Sequence, residues 1–105
     1  MDKTEETKNT VNSEILDKVK KALGIFTNAQ DDTLNVYIDG IKSYMKSAGV
    51  SDAVLSNEIS CGCIVAGVID TWQLGGGTIK LSPYTKERII QLKNEEVEEE
   101  ETEGV

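Results

Sequence analysis

Between Ile59 and Trp72 the chain reads ISCGCIVAGVIDTW, and this stretch limits the fold more than any other. At helical spacing Ile59, Cys61, Cys63, Ile64, Val65, Ala66, Val68, Ile69 and Trp72 leave little polar face. A helix apolar nearly all round is buried, in a core or against a partner. β-Branching at Ile64, Val65, Val68 and Ile69 also suits a buried strand, so that alternative stands beside a helix over 58–73. Read as a helix, the stretch must be the central element of its domain or be shared with a neighbouring subunit. Gly62 and Gly67 each cost about 1 kcal/mol against Ala in a helix interior; close helix approach is the expected compensation. Asp70 is the one acid in the stretch. A buried carboxylate is costly unless paired, and Arg88 or a lysine of the last helix is its expected partner, within the subunit or across an interface.

The rest of the chain offers little with which to cover such an element. Residues 1–12, MDKTEETKNTVN, are almost without apolar side chains and read as a flexible arm; residues 95–105, EEVEEEETEGV, hold seven glutamates and read as an acidic disordered tail. The body, 13–94, carries nine acidic and nine basic side chains, so the net charge of −8 is seven units from the tail and one from the arm. A body of this size buries only about 60–65% of its unfolded surface, so either its helices are well packed or neighbouring copies help to cover it. A neutral body also lacks the basic face of a free nucleic-acid binder. The polar, acidic N-terminus does not read as a signal peptide. The apolar run from Cys61 to Ile69 is far short of the ~20 residues of a membrane span. A reducing cytoplasm with both thiols free is the simplest setting.

Three further helices are written in the pattern. Ser13 as N-cap, Ile15, Leu16, Val19, Ala22 and Leu23 at helical spacing, and Gly24 as stop give a helix over 14–23. Leu34, Tyr37, Ile38, Ile41, Tyr44, Met45 and Ala48 form one apolar stripe, capped by Asp31 or Asp32 and ended by Gly49, over 32–48. Ser82-Pro83 opens a helix over 83–94. Ser51 or Asp52 could start a short turn carrying Val54 and Leu55, and Asn57 could cap the central helix. The expected fold is therefore all-α, a small bundle of about four helices. A Gly-rich loop, with a short extended piece at Thr78–Leu81, joins the third to the fourth.

None of the motifs assembles chemistry. Gly75, Gly76 and Gly77 do not make a phosphate loop, because Lys80 sits too far past them and no strand precedes them; they read as a loose hinge whose first residue ends the preceding helix. Cys61 and Cys63 with no histidine in the chain cannot supply a usual zinc set, and read as small core residues. Without histidine there is no Ser-His-Asp or Cys-His pair either. No catalytic residue, cofactor site or metal site is expected, and the protein reads as a building part rather than an enzyme.

The order of motifs carries a resemblance. ILDKVKKALGI (15–25), DDTLNVYIDGIKSYMKSAGV (31–50), IVAGVIDTWQ (64–73) and KLSPYTKERIIQLK (80–93) together resemble the small head-tail connector proteins of long-tailed bacteriophages, also called head completion or adaptor proteins. The acidic end is not part of that pattern. The resemblance implies an all-α virion subunit in a closed cyclic ring of about twelve copies. Such a ring sits in the neck between the portal protein and the next neck or tail-completion protein, is assembled in the host cytoplasm, and touches no membrane. DNA passes through it without sequence-specific binding, and an acidic tail beside that channel would disfavour sticking to phosphate. Trp72, Ile79, Leu81 and Tyr84, around the loop, and Arg88 are the candidate interface residues. The rival reading is a small non-viral helical adaptor or regulator. A helix-turn-helix DNA binder ranks behind it, because the third helix is too apolar for a groove.

Overall fold

The computed structural model describes residues 3–95; side-chain surroundings are described from Ser13 onward. Five α-helices follow one another: α1 (Lys3–Leu23), α2 (Asp31–Ala48), α3 (Asp52–Leu55), α4 (Cys61–Gln73) and α5 (Pro83–Lys93), with a 3-10 turn over Glu58–Ser60 leading into α4. No strand occurs among the described residues. The fold is the expected all-α bundle, and the strand alternative for the apolar stretch falls away. Of the tail expected at 95–105, only Glu95 lies within the described residues.

α4 is the centre, and α1, α2 and α5 pack on it. Cys61, Cys63, Ile64, Gly67, Val68 and Thr71 are buried, and Val65, Ala66, Ile69, Asp70 and Trp72 are half-covered. Ile15 and Val19 of α1 and Leu34, Ile38, Ile41 and Met45 of α2 close over it, with Val54, Ile89 and Leu92 completing the core. Of the two places expected for the apolar stretch, the centre of its own domain is the one seen, with Ile59, Val65, Ala66, Ile69 and Trp72 left half-covered. Three neighbouring helices cover the buried face of α4 within a single chain. Gly67 is the close approach anticipated: a Cβ there would meet Ile41 Cδ1, Cγ2 and Cγ1 at 3.0, 3.1 and 3.3 Å. Gly62 is not, since nothing lies within 4 Å of its would-be Cβ.

The helix ends follow local chemistry. α1 begins at Lys3, so Ser13 is not its N-cap and 3–12, expected as an arm, continue the helix. Gly49 and Gly75 take left-handed backbone, φ 113° and 111°, beyond α2 and α4. After α4 the closure is a full Schellman motif: the N–H of Gly76 donates to the carbonyl of Thr71 at 2.7 Å and that of Gly75 to Trp72 at 3.3 Å. Ser51 caps α3, accepting from the N–H of Val54 at 3.2 Å, and Asn57 caps the 3-10 turn, accepting from Ile59 at 2.9 Å. Ser82 caps α5, accepting from Thr85 N–H at 3.3 Å, with Pro83 at the first helical position. Neither Asp31 nor Asp32 caps α2; Gln30 holds that position without a side-chain bond. Asp31 is the first helical residue and instead meets Lys20 Nζ at 2.8 Å. The same ammonium donates to Asn28 Oδ1 at 3.1 Å, tying the end of α1 to the start of α2.

Candidate interaction surface

The segment between α4 and α5 was expected to be loose, and the structure ties it down. From α4, Thr71 Oγ1 accepts from the N–H of Lys80 and donates to its carbonyl, both at 3.2 Å. From α2, Tyr37 Oη accepts from the N–H of Gly77 at 3.1 Å. The Lys80 ammonium turns back to the carbonyl of Leu74 at 3.0 Å, at the end of α4. Gly75, Gly76 and Gly77 all have positive φ, so the run serves a specific tight path. A Cβ on Gly76 would also meet Tyr37 Oη at 2.7 Å. Thr78–Leu81 forms no strand; Ile79 lies on α2, its Cδ1 3.1 Å from where a Cβ of Gly40 would stand.

Asp70 and the start of α5 form the second fastening. Asp70 Oδ2 accepts from Thr85 Oγ1 at 2.6 Å and from the N–H of Ser82 at 3.0 Å. The expected partners, Arg88 and the lysines, are not used: the carboxylate meets neutral donors at a helix N-terminus, where negative charge is favoured. Burial alone would raise its pKa, but the hydrogen bonds from Thr85 and Ser82 prevail and hold the carboxyl below its usual value. Arg88 donates instead to Gln91 Oε1 at 2.9 Å along α5.

These fastenings leave an open groove lined by Tyr44, Leu74, Ile79, Lys80, Leu81 and Lys86. Of the expected interface residues it brings together Ile79 and Leu81. Trp72 lies elsewhere, half-buried, its ring edge-on to Tyr37 with centroids 6.1 Å apart and planes at 79°. Tyr84 is 73% exposed at the start of α5, and neither it nor Arg88 lines the groove. Sequence reasoning missed Leu74, 56% exposed, and placed Tyr44 on the buried stripe of α2, where it is 41% exposed at the edge. An apolar residue standing just before a glycine run, as Leu74 does, was the available signal. Phe26, in the turn before α2, is 88% exposed and also went unnoticed.

Both cysteines are buried and free. Burial pushes the Cys61 thiol up and the Cys63 thiol up to about 11, the opposite of an activated nucleophile. No group of three or more potential metal ligands occurs among the described residues. No helix among them is long and apolar enough to cross a membrane.

Residues 13–62 match the family model described as phage gp6-like head-tail connector protein. No curated protein and no solved structure matches the chain. The matched segment runs from within α1 through α2 and α3 to the first residues of α4. It contains the first two of the four motifs that carry the resemblance, and the match supports that resemblance. Trp72, Leu74, Ile79, Leu81, Tyr84 and Arg88 all lie beyond it.

Proposed function

We propose, from the match of residues 13–62 to the phage gp6-like head-tail connector family, that this chain is one subunit of a ring joining the portal protein to the tail. The family is structural and non-enzymatic, so a phage structural connector is the role the match supports directly. The finer reading is that about twelve copies close into a cyclic ring, dock on the portal after packaging, extend the DNA channel and present a surface to the next neck or tail component. The observation that carries it is the family match. The exposed surface supports it. Phe26, Leu74, Tyr84 and Ile90 stand more than half exposed on a small body whose core is complete without them. Large apolar side chains left outside in this way suit contacts with other chains.

On this reading the subunit contacts centre on the α4–α5 segment, with Tyr84 and Leu74 as the protruding groups and Ile79 and Leu81 behind them. Trp72 supports the loop from within through Tyr37. Electron microscopy of particles assembled with and without the protein tests the proposal. We expect DNA-filled heads lacking a neck ring, and lacking tails, when it is missing. Complete, tailed particles made without it would overturn the reading.

A further inference from the structure

The groove between α2, the α4–α5 segment and α5 has apolar walls, Tyr44, Leu74, Ile79 and Leu81, and two cations, Lys80 and Lys86, with no acid among its lining residues. In a body with equal numbers of acidic and basic side chains, this is a local excess of positive charge beside uncovered apolar surface. Its complement is an acidic segment with occasional aliphatic residues. The chain carries one, EVEEEETEGV at 96–105, with six glutamates and two valines, beyond the described residues. The path is short. Glu95 leaves the C-terminal end of α5, its N–H donating to Leu92 at 3.1 Å. Lys86 lies back along the same helix, about 11 Å from Lys93 at the helical rise per residue. Ten extended residues reach about 33 Å.

We propose that residues 96–105 turn back along α5 and dock in the groove of their own chain, glutamates against Lys80 and Lys86 and a valine against the apolar wall. The Lys80 ammonium has three donors and uses one on Leu74, so it can also receive a carboxylate. Docking stands on the groove and the tail sequence alone. Its consequence, that the tail occupies surface a neighbouring subunit would use, rests on the connector reading above.

The test uses the full chain and amide NMR spectra recorded at about 20 mM and about 500 mM salt, because exposed ion pairs are screened at the higher value. We expect the amides of Ile79, Leu81 and Lys86 to shift with salt in the native chain, with no change on tenfold dilution. They should lose that response when the six glutamates are replaced by glutamine. K86E, at an exposed position outside the core, should lose it as well. Groove amides that are the same in the native chain and the glutamine variant would overturn the proposal. A salt response that disappears on dilution would overturn its intramolecular form, assigning the tail to another copy's groove. Because no virion is involved, failure here leaves the connector reading standing, and failure of particle assembly tests leaves the docking standing.

Discussion

Gly62 and Gly67 lie five residues apart in one helix, and what a methyl group would touch separates them. At Gly67 it meets three atoms of Ile41 at 3.0–3.3 Å; at Gly62 it meets nothing. Replacing Gly67 by Ala should therefore cost about 1–2 kcal/mol, overpacking outweighing the gain in helix propensity. Replacing Gly62 should instead stabilise by up to about 1 kcal/mol. Urea midpoints measured on the two variants should move in opposite directions; movement the same way would mean that α2 and α4 do not meet at Gly67. Asp70 gives a pH prediction. Its folded pKa lies below its ordinary value of 3.8, so the unfolded chain takes up the proton first as pH falls. The stability it contributes is fully present above the ordinary value. It is lost as pH falls through the lowered one. D70N should be less stable at pH 7 and should lose that part of the acid dependence. Thermal melts between pH 2 and pH 7 would show it, and an unchanged acid limb would mean that the bonds to Ser82 and Thr85 do not form in solution.

At the scale of elements, the α4–α5 connection is held from three sides rather than left as a swivel. Tyr37 reaches it from α2, Thr71 from α4, and the Lys80 ammonium crosses back to Leu74. Y37F removes one acceptor from an exposed N–H at little cost to the core, so global stability should fall by about 1 kcal/mol or less. Hydrogen exchange at Gly77 should quicken markedly. T71V removes both bonds to Lys80 from a buried hydroxyl and leaves that backbone to find other partners. It should cost more, about 1–3 kcal/mol, and speed exchange at Lys80. Unaltered exchange in both variants would return the loop to the loose connector that its three glycines suggest. The sequence could not distinguish the two, because consecutive glycines are equally the mark of a floppy chain and of a path no other residue can follow.

The whole molecule separates two demands that looked like one. The apolar excess of α4 suggested that copies were needed to finish the core. The chain builds a core around α4 by itself, and its large apolar side chains that stand more than half exposed are Phe26, Tyr84, Val36, Leu74 and Ile90. Substitutions at these places should then disturb assembly without disturbing the fold. On the proposed connector reading, L74S together with Y84S should lower the fraction of ring or higher oligomer, measured by sedimentation, by tenfold or more and leave the melting temperature within a few degrees. L81A, which removes a side chain packed against the core, should lower both. A double variant that assembles as well as the native chain would move the contacts elsewhere.

What the sequence determined by itself was the set of helices and most of their ends. Gly49, Gly75, Ser51, Asn57 and Ser82 act within a few residues of chain, through local backbone geometry and local hydrogen bonds, and such signals need no knowledge of what lies across the fold. The apolar stripes of α1 and α2 were legible for the same reason. The tertiary structure alone decided which apolar groups would be covered, that Asp70 would meet a serine amide and a threonine hydroxyl rather than a cation, and that Ile79, Leu81, Tyr44 and Leu74 would face one groove. Coverage and partnership depend on distances between residues far apart in the chain. Many arrangements of the same four main helices satisfy the same periodicities, and only close packing of α1, α2 and α5 around α4 chooses among them.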